Sequence, residues 1–211
     1  MLNNPQDILT ERQLQLIEAG MRVLDRDGGE GLSMRKLADE AGLSPMATYK
    51  HFENQEAFQI ELWMSCMYTF NRGMLDGVEA HPDRPIEGFI ALCRAFMAYA
   101  FRWPRRFEYV MTHPLIERIR ETDTENQRRA LWAVAVRSLE RARDAGEIRT
   151  DQTVPALTLS VLAQLHGASH MVLTGRAMHL TGMDADAVLE LTSEMIRTSI
   201  TGVPSPVVPT D

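Results

Sequence analysis

The chain has 211 residues, 45% hydrophobic and 24% charged, which suits one or two globular domains. Its net charge is −7, and residues 1–60 carry six Lys/Arg against ten Asp/Glu, so bulk charge does not predict a nucleic-acid partner. The opening MLNNPQDILTER lacks the basic-then-apolar pattern of a secretion signal, and the two cysteines, Cys66 and Cys93, have no metal-type spacing. A reduced, cytoplasmic compartment follows as the expectation.

Helical periodicity runs throughout, with no convincing alternating strand, so the fold class is all-α. Residues 1–9 are expected to be a flexible tail. Thr10 with Gln13 forms a capping box before Leu14, Ile17, Met21 and Leu24, and Asp27-Gly28-Gly29 ends this first helix. Ser33 caps a short second helix that Gly42 terminates; Ser44 caps a third, with Pro45 at its first position. Asn54 caps a long fourth helix carrying Phe58, Leu62, Trp63, Met67 and Phe70. After the linker His81-Pro82-Asp83-Arg84-Pro85, a helix spans Ile86 to Trp103, and Pro104 and Pro114 each force a stop and restart. The polar stretch Glu121 to Asn126 leads into a helix through Leu131, Trp132, Val136 and Leu139, ended by Gly146. An uncharged helix covers roughly 153–174, the last runs from Ala185 to Ile200, and the proline-rich 202–211 is expected to be a flexible tail.

Three short helices with a glycine turn between the second and third make a helix-turn-helix, placed at residues 10–53, ahead of a helical body at 54–201. The third helix, about six residues long, opens with Pro45, Met46, Ala47 and Thr48, small or apolar groups that let the backbone approach a major-groove floor. Tyr49, Lys50 and His51 follow with donors suited to phosphates. Phe52 reads as a core aromatic, and Ser33 and Ser44 are helix caps first. Lys50 is one of only two lysines in the chain, beside Lys36.

The run SMRKLADEAGLSPMATYKHFENQEAF resembles the head of the Tet-repressor family, whose third helix ends in Tyr-x-His-Phe as Tyr49 to Phe52 do here. The resemblance covers about residues 10–60. It implies double-stranded DNA as a partner, a palindromic operator bound by a homodimer, and a small-molecule effector. It further implies that Ser33 and Arg35 meet the DNA backbone, that Pro45, Met46, Ala47 and Lys50 face base edges, and that Thr48, Tyr49 and His51 hold phosphates. One departure stands at the start of the fourth helix, where the family has Lys and this chain has Gln55, which can bond a phosphate but releases no counterion. FMAYAFRWPRRFEYVM and His166-Gly167 resemble a body of the WHG type, although Leu162 stands where the motif has Trp.

The uncharged stretch Gln152 to Gly175 is long enough to raise the question of a membrane. Its Gln164, His166, His170, serines and Pro155 argue instead for a helix buried in protein. A four-helix dimer seam built from it and the last helix would cover it, through Val161, Leu162, Leu165, Val172 and Leu173 with Ala187, Leu191, Met195 and Ile196; a monomer's central helix is the alternative. Thirteen methionines and the aromatics supply candidates for an apolar ligand pocket: Trp63, Met67, Phe70, Phe96, Met97, Phe107, Met111 and Trp132. Plain core packing explains any one of them as well. His166 and His170 lie one turn apart, but no acid or cysteine in their segment completes a metal site, so they are assigned to packing or to a ligand.

No HExxH, GxSxG, phosphate loop or Cys-His set is present, and Glu108 and Glu117 lie beside arginines as surface charges, so neither catalysis nor a cofactor is expected. The expectation is a ligand-released homodimeric repressor. A DNA-bound activator differs only in consequence, and a helical carrier or enzyme that keeps the head as structure is the alternative from another class.

Overall fold

A computed structural model describes residues 4–112 and 123–202, all helices and connecting turns, with no strand among them. Pro114, Glu117 and all of the C-terminal tail except Gly202 lie outside the described residues. Within the N-terminal tail, Pro5–Ile8 forms a 3-10 turn.

The chain divides into two compact units, Met1–Arg72 with Trp103–Ala130 and Gly73–Arg102 with Leu131–Asp211. The first unit opens with α1 (Glu11–Asp27), whose capping box is complete: the Thr10 hydroxyl accepts the Gln13 N–H, and the Gln13 side chain accepts the Thr10 N–H. Leu16, Ile17, Ala19, Val23 and Leu24 bury one face of this helix. Gly20 lies on the same face because a Cβ there would stand 2.5 Å from the ring of Phe58. The α2 helix (Met34–Ala41) is capped by Ser33 and stopped by Gly42 in the left-handed region at φ 67°, where a side chain would be strained. The Leu43 N–H then donates to the Ala38 carbonyl at 2.8 Å, closing the turn over a fully buried alanine. The α3 helix (Pro45–Thr48) is a single turn, shorter than the expected six residues, and α4 begins soon after it (Gln55–Glu79). Asn54 caps α4 by accepting the Ala57 N–H at 2.8 Å.

The first unit also takes up α6 (Pro104–Thr112), which packs on α1. Polar contacts among the described residues hold it. Arg106 forms a two-pronged bond with Asp25 at 2.7 and 2.5 Å, and Arg105 donates to the Arg26 carbonyl. The Tyr109 hydroxyl donates to the Gln59 carbonyl, and the Trp63 indole donates to the Val110 carbonyl.

The second unit contains the end of α4, α5 (Pro85–Arg102), most of α7 (Asp123–Asp144), α8 (Val154–Leu173), α9 (Arg176–Thr181) and α10 (Ala185–Thr201). Its centre is α5 with α8 and α10 packed on it and on each other. Ion pairs join α5 to α10, among them Arg94 with Glu190 and Arg197 with Glu87. The hydrogen bonds from Arg197 hold the Glu87 carboxyl below the usual glutamate range. The short α9, bounded by left-handed Gly175 and Gly182, is a helix that the periodicity of 175–184 does not announce.

Candidate nucleic-acid interface

The head places its predicted DNA residues unequally. Met46 is 74% exposed and Tyr49 53%; Arg35, Ser44, Pro45, Lys50 and Gln55 are exposed, and Ser33, Ala47 and His51 are half-buried. Thr48 is the exception. It has no exposed surface, and its hydroxyl lies 3.5 Å from the Ser44 carbonyl, so its side chain packs the helix-turn-helix from within instead of reaching a phosphate. Phe52 is buried edge-on against Phe58, with ring centroids 5.3 Å apart.

Two hydrogen bonds brace the presenting segments. The Gln13 amide donates to the His51 carbonyl at 3.0 Å, tying the end of α3 to the start of α1. The Gln55 amide donates to the Leu32 carbonyl at 3.1 Å, tying the start of α4 to the residue before the α2 cap. The amide of Gln55 is thus engaged within the protein.

Charge is sorted within the head. Arg22 and Arg26 pair with Glu40, and Arg26 and Lys36 with Asp27, which holds both carboxyls below their usual ranges. Arg35 and Lys50 form no ion pair among the described residues and are exposed. An acidic chain can therefore present local positive charge at the second and third helices.

The sequence from α1 into α4, residues 16–62, matches the model of the bacterial regulatory proteins of the tetR family, and residues 89–196 match that of the tetracyclin repressor-like C-terminal domain. The chain belongs to the Tet-repressor family. Its head is accordingly a DNA-binding helix-turn-helix, and the protein is a transcription regulator, not an enzyme. Solved structures share this regulator's fold. A protein of unknown function from Rhodococcus sp. RHA1 is 22% identical, with a TM-score of 0.73 over 92% of this chain and 97% of its own. A TetR family transcription regulator from Marinobacter aquaeolei VT8 is 19% identical, with a TM-score of 0.63 over 90% and 95%. The ketosteroid transcriptional regulator KstR2 of Mycobacterium tuberculosis is 17% identical, with a TM-score of 0.68 over 95% and 99%. No curated protein matches the chain.

The body of this TetR regulator sorts its predicted residues differently. Trp63, Met67 and Phe70 are buried in the first unit, to which half-buried Met111 also belongs. Phe96 and Met97 are buried in the second unit, whereas Trp132 is 40% exposed. His166 and His170 are both exposed; His166 still sets its ring edge-on against Phe96 at 5.2 Å, and the desolvation there lowers its affinity for a proton. No group of three His, Cys, Asp or Glu comes together for a metal among the described residues.

The seam residues divide as well. Val161 and Leu165 are 2% and 3% exposed, covered by their own chain, so they cannot form the outer face of α8. Val172 is half-buried, and Leu191 and Met195 are exposed as a seam requires. The outward face of α8 carries Ala156, Leu159, Ser160, Ala163, His166, Gly167, His170 and Leu173, without an Asp, Glu, Lys or Arg, and the periodicity of an uncharged segment does not single it out. By length and composition α8 could span a membrane, and only 28% of its most apolar segment is buried within the chain.

Proposed function

We propose that this regulator is a homodimeric repressor that binds a palindromic operator and is released from it by a small apolar ligand. The observation that carries the dimer is the outward face of α8, which bears Leu159 and no Asp, Glu, Lys or Arg, beside exposed Leu191 and Met195 of α10, left uncovered among the described residues. Two copies of each helix would form a four-helix seam and remove that surface from water. A cytoplasmic location goes with this reading.

The division proposed is a head at 10–53 and a ligand-binding, dimerising body at 54–201, its C-terminal part of the WHG type. Ser33 and Arg35 would hold phosphates from the second helix, and Tyr49 and His51 from the third; Lys50, which the resemblance sets at base edges, is taken here by its ammonium as a phosphate contact too. Ligand release would act through α4, one uninterrupted helix whose residues 55–72 belong to the first unit and 73–79 to the second. A shift of that helix would carry α6 and α1 with it, through the bonds of Tyr109, Trp63 and Arg106. Coupling of this kind is reciprocal, so operator DNA would weaken ligand binding by the same factor.

The test is selection of bound duplexes from random DNA at low salt, followed by a mobility-shift titration of the full chain. The reading expects an inverted repeat with half-sites about one helical turn apart, bound more weakly as salt rises. Recovery of no duplex would refute it.

A further inference from the structure

Among residues 44–48, at the leading edge of α3, the one exposed polar side chain is the Ser44 hydroxyl, which keeps only its own O–H to donate outward. The Ser44 hydroxyl accepts the Ala47 N–H as the helix cap, Thr48 is fully buried, and Pro45 and Ala47 end in hydrocarbon. Met46 stands clear of the core at 74% exposure, and the polar groups of the segment, Tyr49 and Lys50, come only after it. A single exposed methionine needs no partner in itself; this one stands on the segment that the DNA-binding reading sets against the duplex, and there its side chain meets the groove. The hydrogen-bond donors and acceptors of the major-groove floor lose water without replacement under a thioether. The C5-methyl of thymine is the apolar group that projects into the groove and offers a thioether a matching surface.

We propose that Met46 is the specificity-determining residue of this head and selects a thymine in each half-site by packing on its C5-methyl. The inference rests on the DNA-binding reading above and adds to it the chemistry of the base that is read. Recognition of this kind depends on the methyl and not on base pairing. It therefore follows the methyl wherever it is placed.

The experiment starts from the selected duplexes and uses the full-length protein. Each half-site thymine is replaced in turn by deoxyuridine, which removes only the methyl, and separately by cytosine or 5-methylcytosine. One position per half-site is expected to lose about fourfold in affinity with deoxyuridine, the effect of one buried methyl. At that position 5-methylcytosine should bind more tightly than cytosine. Met46→Ala should bind thymine and deoxyuridine duplexes equally, and Met46→Leu should keep the preference; the side chain is exposed, so both variants should melt as the parent does. Equal binding of thymine and deoxyuridine at every position by the parent would overturn the proposal, as would a full preference retained by Met46→Ala. Failure to select any duplex would instead remove the DNA-binding reading beneath it.

Discussion

Lys50 shows how little the bulk charge says about the working surface. The chain is acidic, yet Arg22, Arg26 and Lys36 are the head cations consumed in ion pairs, while Lys50 and Arg35 stay exposed and unpaired among the described residues. A lysine on a phosphate contributes by counterion release and carries no sequence information. Lys50→Ala is therefore expected to weaken binding to all duplexes alike and to flatten the salt dependence by about 0.9 for each phosphate no longer neutralised. A mobility-shift or anisotropy series over salt checks this; an unchanged slope would remove Lys50 from the interface. The candidate DNA residues were legible because the turn glycine, the caps and the proline sit at fixed offsets from them. Thr48 was not, because a one-turn helix has too few residues to show which side faces in.

At the scale of the element, glycines of the same helical class separate cleanly. Gly20 in α1 has the buried ring of Phe58 2.5 Å from where a Cβ would go, whereas Gly73 in α4 has nothing within 4 Å. Gly20→Ala should lower stability by about 1–3 kcal/mol through overpacking, and Gly73→Ala should raise it by about 0.5–1 kcal/mol by restraining the unfolded chain. Denaturant unfolding of the two variants tests the pair, and the same sign for both would contradict the packing described. The α5–α10 junction gives a pH prediction. The folded Glu87 carboxyl is held below its ordinary range by Arg197, so the stability it contributes is present above the glutamate range and is lost as pH falls through the lowered value. The melting advantage of the parent over Glu87→Gln should therefore be largest near neutrality and vanish in acid. A difference that persists unchanged at low pH would show that the ion pair is not its source.

For the whole molecule, the decisive surface is the outer side of α8 and α10. Leu159 is 62% exposed, Leu191 48% and Met195 53%, with no charge among the α8 residues around them. If two copies cover this surface, Leu159→Glu with Leu191→Glu should halve the mass in sedimentation at micromolar concentration while the helical signal is kept. Operator affinity should then fall steeply, because a lone head meets one half-site only. A double variant that stays dimeric would place the seam elsewhere. The uncharged helix itself was plain in the sequence, and so was its need for cover; which of its sides the chain covers was not.

Legible in the sequence alone is everything governed by neighbours within a few residues: the capping box at Thr10, the caps at Ser33, Ser44 and Asn54, the stop at Gly42, and the restart at Pro104. These are backbone requirements that particular residue types meet locally, so they can be read without knowing what packs where. Tertiary packing decided the rest. It buried Val161 and Leu165 and left Leu159 outside, it turned Gln55 to the Leu32 carbonyl, and it joined Arg106 to Asp25 across 81 positions. A helix with no charged side carries little contrast from which to read its orientation, and a bond between distant residues leaves no trace in the spacing of either.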